Sequence, residues 1–503
     1  MKKSPEPVSG SGSATRSHRQ EVESELDFFR LWLAFVEQGA RCDSLEREVD
    51  SMERSKSWRL TSPLRAIVRR VDRWRGRQAG RPALRDVLGA REVRPSLPAS
   101  PPWLLAFLPP ARDDRPRLLV DVTEISLEDL GAGVQRVTRR VLAELLAGSP
   151  SRYVVTPVRL AADGRYCVAS VFLATFLGLP ENAFGCDHLF DPRAGDQFLG
   201  LDFCRDRAAD LSVGLFSLRS AGVTVTLTVP DVLPLTNPNW FPPSIAASYE
   251  QWLAVLATQS DRALCISADS AATLRRELLA RGLALPTHGI SEMRLGADLP
   301  PTPLPARNPL PVRAAGTTRV LMVGTIEPRK AHDQALEAFE LLWSRDLPFE
   351  LVIAGRRGWM VDTLLDRLTS HRELGRRLHW IDGPDDRVLS ALYQECDVLL
   401  MASLGEGFGL PVAEAGRLGL GLVLRELPVF REVAGEDALY FSGDGGGVIA
   451  EALVAHRERP RHPRPAEDWA TWASCAESIQ ELLALAGAAV GNGAPRSSDQ
   501  ETM

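Results

Sequence analysis

The chain has 503 residues, room for two or three domains. Apolar residues make up 45% and charged residues 25%, the ordinary balance of a soluble globular protein. A net charge of −6 argues against a general nucleic-acid binder. Residues 1–19 are rich in Ser, Gly and Pro and read as disordered. They carry no apolar core behind their lysines, so they do not read as a secretory signal. In 20–54, Leu26, Phe29, Leu33, Val36, Leu45, Val49 and Met52 fall at roughly helical spacing, which predicts a helical hairpin or short coiled-coil arm suited to self- or partner association. Residues 56–77 hold eight Lys or Arg and one acid, with Trp58, Leu60, Leu64, Ile67, Val68, Val71 and Trp74 between them. Such a helix can lie on an anionic leaflet or dock on protein, and the two readings stand level. Prolines 95, 98, 101, 102, 109 and 110 mark a linker.

A strand begins at Arg117 in the run RLLVDVTEI, followed by the glycine turn at Gly131 and Gly133. A helix with Val137, Val141, Leu142, Leu145 and Leu146 on one face comes next. Further strands are predicted at 153–158, 223–229 and 263–266, with helices at 244–257 and 270–281. A second proline cluster at 300–311 precedes another alternating series. Its strands are predicted at 319–323, 349–354, 378–381, 398–401 and 421–424, its helices at 333–344, 361–371 and 388–396. Strands alternating with helices imply an α/β fold of two doubly wound, Rossmann-like domains facing a cleft, with an N-terminal helical extension. The divisions are 1–19 (disordered), 20–94 (helical and basic extension), 95–114 (linker), 115–300 (first domain), 301–316 (linker), 317–485 (second domain) and 486–503 (flexible tail). Seven scattered cysteines, odd in number and without a Cys-x-x-Cys pair, suggest reduced thiols in a cytoplasm and no zinc site of the usual spacing. No run of eighteen apolar residues occurs, so no membrane span is expected.

The most informative stretch is Ser403-Leu-Gly-Glu-Gly-Phe-Gly-Leu-Pro-Val-Ala-Glu-Ala415. It follows the apolar run Asp397–Ala402, a buried parallel strand by pattern. Pro411 suits a first helical turn, so Gly405, Gly407 and Gly409 lie in a strand-to-helix turn. Backbone N–H groups there, with the helix dipole, favour an anion. Glu406, in the loop, and Glu414, expected inside the first helical turn, would not bind phosphate; accepting sugar hydroxyls suits them. Together these features describe a nucleotide-sugar pocket. Arg329 and Lys330 stand at a second loop-to-helix junction, after Gly324, where cations stabilise the charge that develops on a diphosphate leaving group.

Val323–Lys330 and Gly405–Glu414 together resemble the donor site of retaining GT-B glycosyltransferases of family four. The family's mark of Glu, seven residues, Glu is matched by Glu406 and Glu414. The resemblance extends through Ala391–Asp397, Pro428–Gly435, Asp121–Glu124, Gly133–Arg136 and Leu295–Asp298, and so spans about 117–485. The block Ser57–Arg65 is similar to a short N-terminal segment of some bacterial surface-polysaccharide transferases. The resemblance implies that Glu406 contacts the transferred sugar, Glu414 the ribose hydroxyls, and Lys330 with Arg329 the diphosphate. It implies that Gly131 and Gly133 let the first domain's backbone approach phosphates and acceptor, and that Phe408 and Gly409 shape the sugar pocket. A same-face, retaining transfer needs no protein nucleophile, because the leaving phosphate can take the acceptor's proton.

The chain departs from the family in two places. The loop Val229–Pro238 carries Thr236 and Asn237 where the family often has a histidine, leaving Asp231 as the ionisable replacement or else a plain turn residue. Gly419-Leu-Gly421 has glycine where proline is usual. Asp385-Asp386 reads as a helix cap, His332 as a surface or helix-start residue, and neither a metal nor a cofactor is expected. The reading that results is a hexosyltransferase taking a nucleotide-sugar, with GDP-mannose suggested by the resemblance. Its acceptor would be a lipid-linked or other glycan in surface-polysaccharide (O-antigen, lipopolysaccharide) synthesis. The enzyme would be cytoplasmic, with peripheral contact at the inner membrane face through 56–77. The alternatives are a nucleotide-sugar epimerase or a phosphorylase on the same fold, or a catalytically weak scaffold acting through its helical arm.

Overall fold

The computed structural model describes residues 115–491 except 130, 132, 149–151, 300–304, 306–307 and 461–462, and side chains only up to 484. The expectations for 1–19, the arm at 20–54, the basic segment at 56–77 and the linker at 95–114 lie outside the described residues.

The second domain is the more regular. Its strands are β9 (Thr318–Val323), β10 (Phe349–Ala354), β11 (Leu378–Ile381), β12 (Val398–Met401), β13 (Gly421–Arg425) and β14 (Leu439–Phe441). They form a sheet in the order β11-β10-β9-β12-β13-β14, with every pairing parallel. Successive residues of one strand enter different cores. Val320, Met322, Leu351 and Ile353 pack on one face, Leu321, Val352 and Ala354 on the other. Burial on both faces is why these strands read as unbroken apolar runs. The order reverses between β9 and β12. At such a switch point the loops leave in opposite directions and open a crevice for a ligand.

The first domain contains β1 (Arg117–Asp121), β2 (Val154–Leu160), β3 (Tyr166–Val168), β4 (His188–Leu189), β5 (Gln197–Gly200), β6 (Thr224–Val229), β7 (Arg262–Cys265) and β8 (Ile290–Glu292). Its sheet runs β4-β3-β2-β1-β5-β6-β7-β8. The strands from β2 to β8 along this order are parallel, while β3 and β4 form an antiparallel edge. The strand expected to continue toward Ile125 stops at Asp121. The Asp121 carboxylate accepts the Thr123 N–H at 2.9 Å and turns the chain into the helix Thr123–Leu127. Strands β3, β4, β5, β8 and β14 were not legible in the sequence, each being too short to show a period. Residues 170–186 form a separate segment, with a helix at Ser170–Phe176 on which Phe172 and Phe176 stack at 5.7 Å.

Two expectations about the C-terminus are corrected. The helix Trp472–Gly491 continues past 485, where a loose tail was expected. It also packs on the first domain rather than the second. Leu482 O accepts from Arg262 Nη1 at 2.7 Å, and Asp298 Oδ1 accepts the Trp472 N–H at 2.7 Å. Just before this helix, Trp469 covers Gly416, and a Cβ on Gly416 would lie 2.1 Å from the indole. Gly416→Ala therefore has to displace a buried ring. Its expected cost is about 1–3 kcal/mol of overpacking, measured as a lowered urea midpoint with an unchanged m-value.

Candidate functional site

A cleft of about 1100 Å³ lies between the two domains, lined by Gly131, Gly133 and Arg136 from the first and by the loops after β9 and β12 from the second. The loop after β12 turns at Gly409, which has φ 89°, and Pro411 stands in the first turn of the helix Leu410–Arg417. This is the glycine turn expected from the sequence. Glu414, however, sits in the second turn of that helix rather than the first.

Glu406 is the electrostatic centre. It is 8% exposed, and its Oε1 accepts from Lys330 Nζ and from Ser403 Oγ, the latter at 2.7 Å. Its Oε2 accepts from Arg329 Nη1 at 2.8 Å. Burial alone would raise its pKa, but the charges of Lys330 and Arg329 more than offset that and hold it at about 2. Arg329 is itself fixed by three acceptors: Glu406, Gly405 O at 3.0 Å and Glu327 Oε1 at 2.7 Å. These carboxylates raise its pKa against the opposing effect of burial. Lys330 packs against Gly324, where a Cβ would meet Lys330 Cε at 3.3 Å. Ala331, next in the chain, takes φ 50°, a left-handed conformation costing about 1–2 kcal/mol that turns the chain into the helix His332–Ser344.

Asp231 and Glu327 also line the cleft. Burial raises the pKa of each, and in each case Arg329 is the largest opposing influence. Asp231 is a turn residue as well as a cleft residue: its Oδ1 accepts the Leu233 N–H at 2.9 Å. Exposed Arg356, Arg357 and Arg387 stand at the cleft wall, where they favour an anionic ligand.

The first domain grips the glycine loop directly. Gly407 O accepts from Ser267 Oγ at 2.6 Å and from Ser270 Oγ at 3.1 Å. A Cβ on Gly407 would lie 2.3 Å from Pro230 O, and one on Gly405 would lie 2.8 Å from the Trp240 ring. Trp359 Nε1 donates to Trp240 O at 2.9 Å. Glu414 is 2% exposed and holds Arg136 Nη2 of the first domain at 2.5 Å and Tyr393 Oη at 2.8 Å.

Residues 312–448 match the family model described as glycosyl transferases group 1. Over 381 residues the chain is 35% identical to the serotype-specific mannosyltransferase WbdA of Escherichia coli, covering 73% of this chain and 46% of that protein. Within the second domain, the stretch similar to the group 1 glycosyl transferases takes in Lys330, Glu406 and Glu414. The chain spans about half the length of the WbdA relatives it matches. It is also 31% identical over 137 residues to a GDP-mannose:cellobiosyl-diphosphopolyprenol alpha-mannosyltransferase of Xanthomonas campestris, covering 27% of this chain and 34% of that one. The Anabaena protein HepE, solved with UDP and glucose, aligns with a TM-score of 0.48 at 13% identity, covering 75% of this chain and 98% of that one.

Glu406, Lys330, Arg329, Gly324, Gly407, Phe408 and Gly409 line one cleft with Asp231, Gly131 and Gly133. Neither Gly405 nor Glu414 lines it; the one lies against Trp240, the other beneath Arg136. His332 starts a helix but is 2% exposed, which corrects the surface alternative. Its pKa is lowered to about 3 by burial, with Lys330 adding to the effect. Asp385 caps the helix Asp386–Glu395 as expected, accepting the Val388 N–H at 2.8 Å. Sequence reasoning assigned no role to Glu327, Ser403, Arg136 or Tyr393, although all four lie within quoted motifs. Ser267-Ala-Asp-Ser270 carried a helix-cap signal, whereas nothing local linked Trp240 to Gly405 or to Trp359.

The Glu406 pairing has a pH signature. Its folded pKa lies below the value of 4.5 usual for Glu, so ionised Glu406 stabilises the fold above about pH 4.5, and this contribution disappears as pH falls toward 2. Glu406→Gln leaves two buried cations short of a partner and is expected to lose about 3–5 kcal/mol at neutral pH. The difference from wild type should shrink steadily between pH 4.5 and 2 in urea titrations; a constant difference across that range would refute the assignment.

Proposed function

We propose that the chain is a retaining glycosyltransferase that moves a hexose, mannose from GDP-mannose, onto a glycan acceptor carried on a lipid. The observation that carries this reading is Glu406, held ionised by Lys330 and Arg329 inside a glycine turn at a switch point, opposite the glycines of a second Rossmann-like domain. The names of the WbdA and Xanthomonas relatives support mannose, and the latter's name supports the GDP donor and a diphosphopolyprenol-linked acceptor.

In this reading the glycine turn and the start of the helix Leu410–Arg417 receive the diphosphate. Lys330 Nζ carries three N–H donors, and Glu406 is its one hydrogen-bond partner among the described residues, so donors remain for the leaving phosphate. Arg329, already committed to Glu327, Gly405 and Glu406, chiefly positions Glu406. The bond from the sugar's anomeric carbon to the phosphate oxygen breaks, and its electron pair leaves on the phosphate. The acceptor oxygen bonds to the same face of that carbon, and its proton passes to the phosphate oxygen. Glu406 accepts from sugar hydroxyls and, as a fixed negative charge, favours the positive character that develops on the ring. Asp231 lines the same cleft from the first domain, and in this reading it orients the acceptor or the sugar.

Among the described residues, no helix is long and apolar enough to cross a membrane. In this reading a lipid-linked acceptor is met at a membrane surface. Any part that 56–77 plays there concerns residues outside those described.

The direct test is transfer from GDP-mannose, compared with UDP-, dTDP- and ADP-sugars, together with thermal shifts on the same donors. A donor at about 100 times its dissociation constant should add about 2.7 kcal/mol of stability. Lys330→Ala should cut kcat/KM by about 100-fold or more and weaken GDP binding by about 10- to 100-fold. Transfer from another nucleotide-sugar alone would replace the donor, and tight donor binding without transfer to any glycan would point to the scaffold.

A further inference from the structure

Arg136 lines the cleft, whereas Glu414 lies beneath it. The arginine belongs to the first domain's helix Gly133–Ala147 and reaches across to Glu414 Oε1, while Tyr393 Oη donates to Oε2. Arg136 thus stands between the space a nucleotide would enter and the carboxylate that, by the family resemblance, would accept its ribose hydroxyls. A vicinal diol donates two hydrogen bonds to a carboxylate, and both oxygens of this one are already engaged, Oε2 by Tyr393 and Oε1 by Arg136 on its cleft side. The arginine has somewhere to go. Asp386 Oδ1 lies 3.7 Å from Arg136 Nε, and its side chain is 43% exposed on the cleft wall. One cation therefore stands between two carboxylates, a buried one and an exposed one.

We propose that Arg136 sets the affinity of the donor site by masking Glu414, and that a nucleoside diphosphate binds by displacing the arginine from Glu414 to Asp386. This rests on the reading of Glu414 as the ribose acceptor. The displaced pair joins the two domains, so occupation of the ribose position is felt directly by the first domain. The direction of effect is opposite to that of a simple phosphate ligand. A cation that only attracted the diphosphate would lower affinity when removed, whereas a mask raises affinity when removed.

Calorimetric titration of the full chain with GDP and UDP, and with their 2′,3′-dideoxy forms, tests this in wild type, Arg136→Gln, Arg136→Lys and Glu414→Gln. For the diphosphate that wild type prefers, Arg136→Gln should bind about 10-fold tighter, equivalent to about 1.4 kcal/mol. Its dideoxy form should gain nothing, and Arg136→Lys should fall between. Arg136→Gln also leaves Glu414 buried beside Tyr393 alone, so its thermal midpoint should drop without ligand and recover by more than that of wild type with it. If Arg136→Gln proves too unstable to titrate, Arg136→Lys carries the same comparison. Equal binding of the parent diphosphate by the arginine variants overturns the proposal, and weaker binding overturns it and makes Arg136 a phosphate ligand. Should wild type bind parent and dideoxy forms alike, with Glu414→Gln unchanged, the ribose reading itself falls, and the proposal with it; transfer activity of wild type tests the transferase reading separately.

Discussion

The site depends on one buried carboxylate that has to stay charged. Glu406 is almost fully removed from water, and an isolated ion there would be neutralised by protonation. It remains ionised because two cations from the loop after β9 meet it, and that loop is adjacent because β9 and β12 are neighbouring strands. The strand order thus supplies the electrostatics. Any arrangement that separated β9 from β12 would leave Glu406 unpaired and Arg329 and Lys330 uncompensated. A buried pair of this kind is weak support for stability in general, and it suits the fixed negative charge that the proposed function asks of Glu406.

The second sheet was legible because parallel strands buried on both faces leave continuous apolar runs. Phe349–Ala354 and Val398–Met401 begin and end where the pattern says they should. The first domain was harder. Gln197–Gly200 is central to its sheet, yet it is four residues long and follows no period. The run after Arg117 misled for another reason: Asp121 and Thr123 form a local side-chain turn that overrides the β-propensity of the residues around them. At the site, spacing and turn chemistry brought the glycines, Glu406, Lys330 and Arg329 forward. Sequence could not place what depends on two distant segments meeting, such as Arg136 on Glu414 or Trp240 against Gly405.

The glycines illustrate the difference between a motif and its setting. From sequence, Gly405 and Gly407 belong to a loop that lets backbone N–H groups approach an anion. In the structure they also admit the other domain, since a side chain at either position would strike Trp240 or Pro230. Both roles can hold at once, because a peptide unit has two ends. With the Gly407 carbonyl turned to Ser267 and Ser270, the N–H of the same trans peptide, that of Phe408, is directed the opposite way.

This makes the loop's geometry a joint property of both domains. The β9 loop fixes the Glu406 side chain from the second domain, while the first domain fixes the backbone on either side of it through Pro230, Trp240, Ser267 and Ser270. Ser267 does so while capping its own helix, accepting the Ser270 N–H at 3.0 Å, so its hydroxyl is spent at both ends and cannot turn away without uncapping that helix. Movement of one domain against the other therefore has to pass through the peptide beside Glu406. The carboxylate that the proposed chemistry uses and the contact that closes the cleft are adjacent residues of one chain segment, so the cleft cannot open at that edge without disturbing the charge within it.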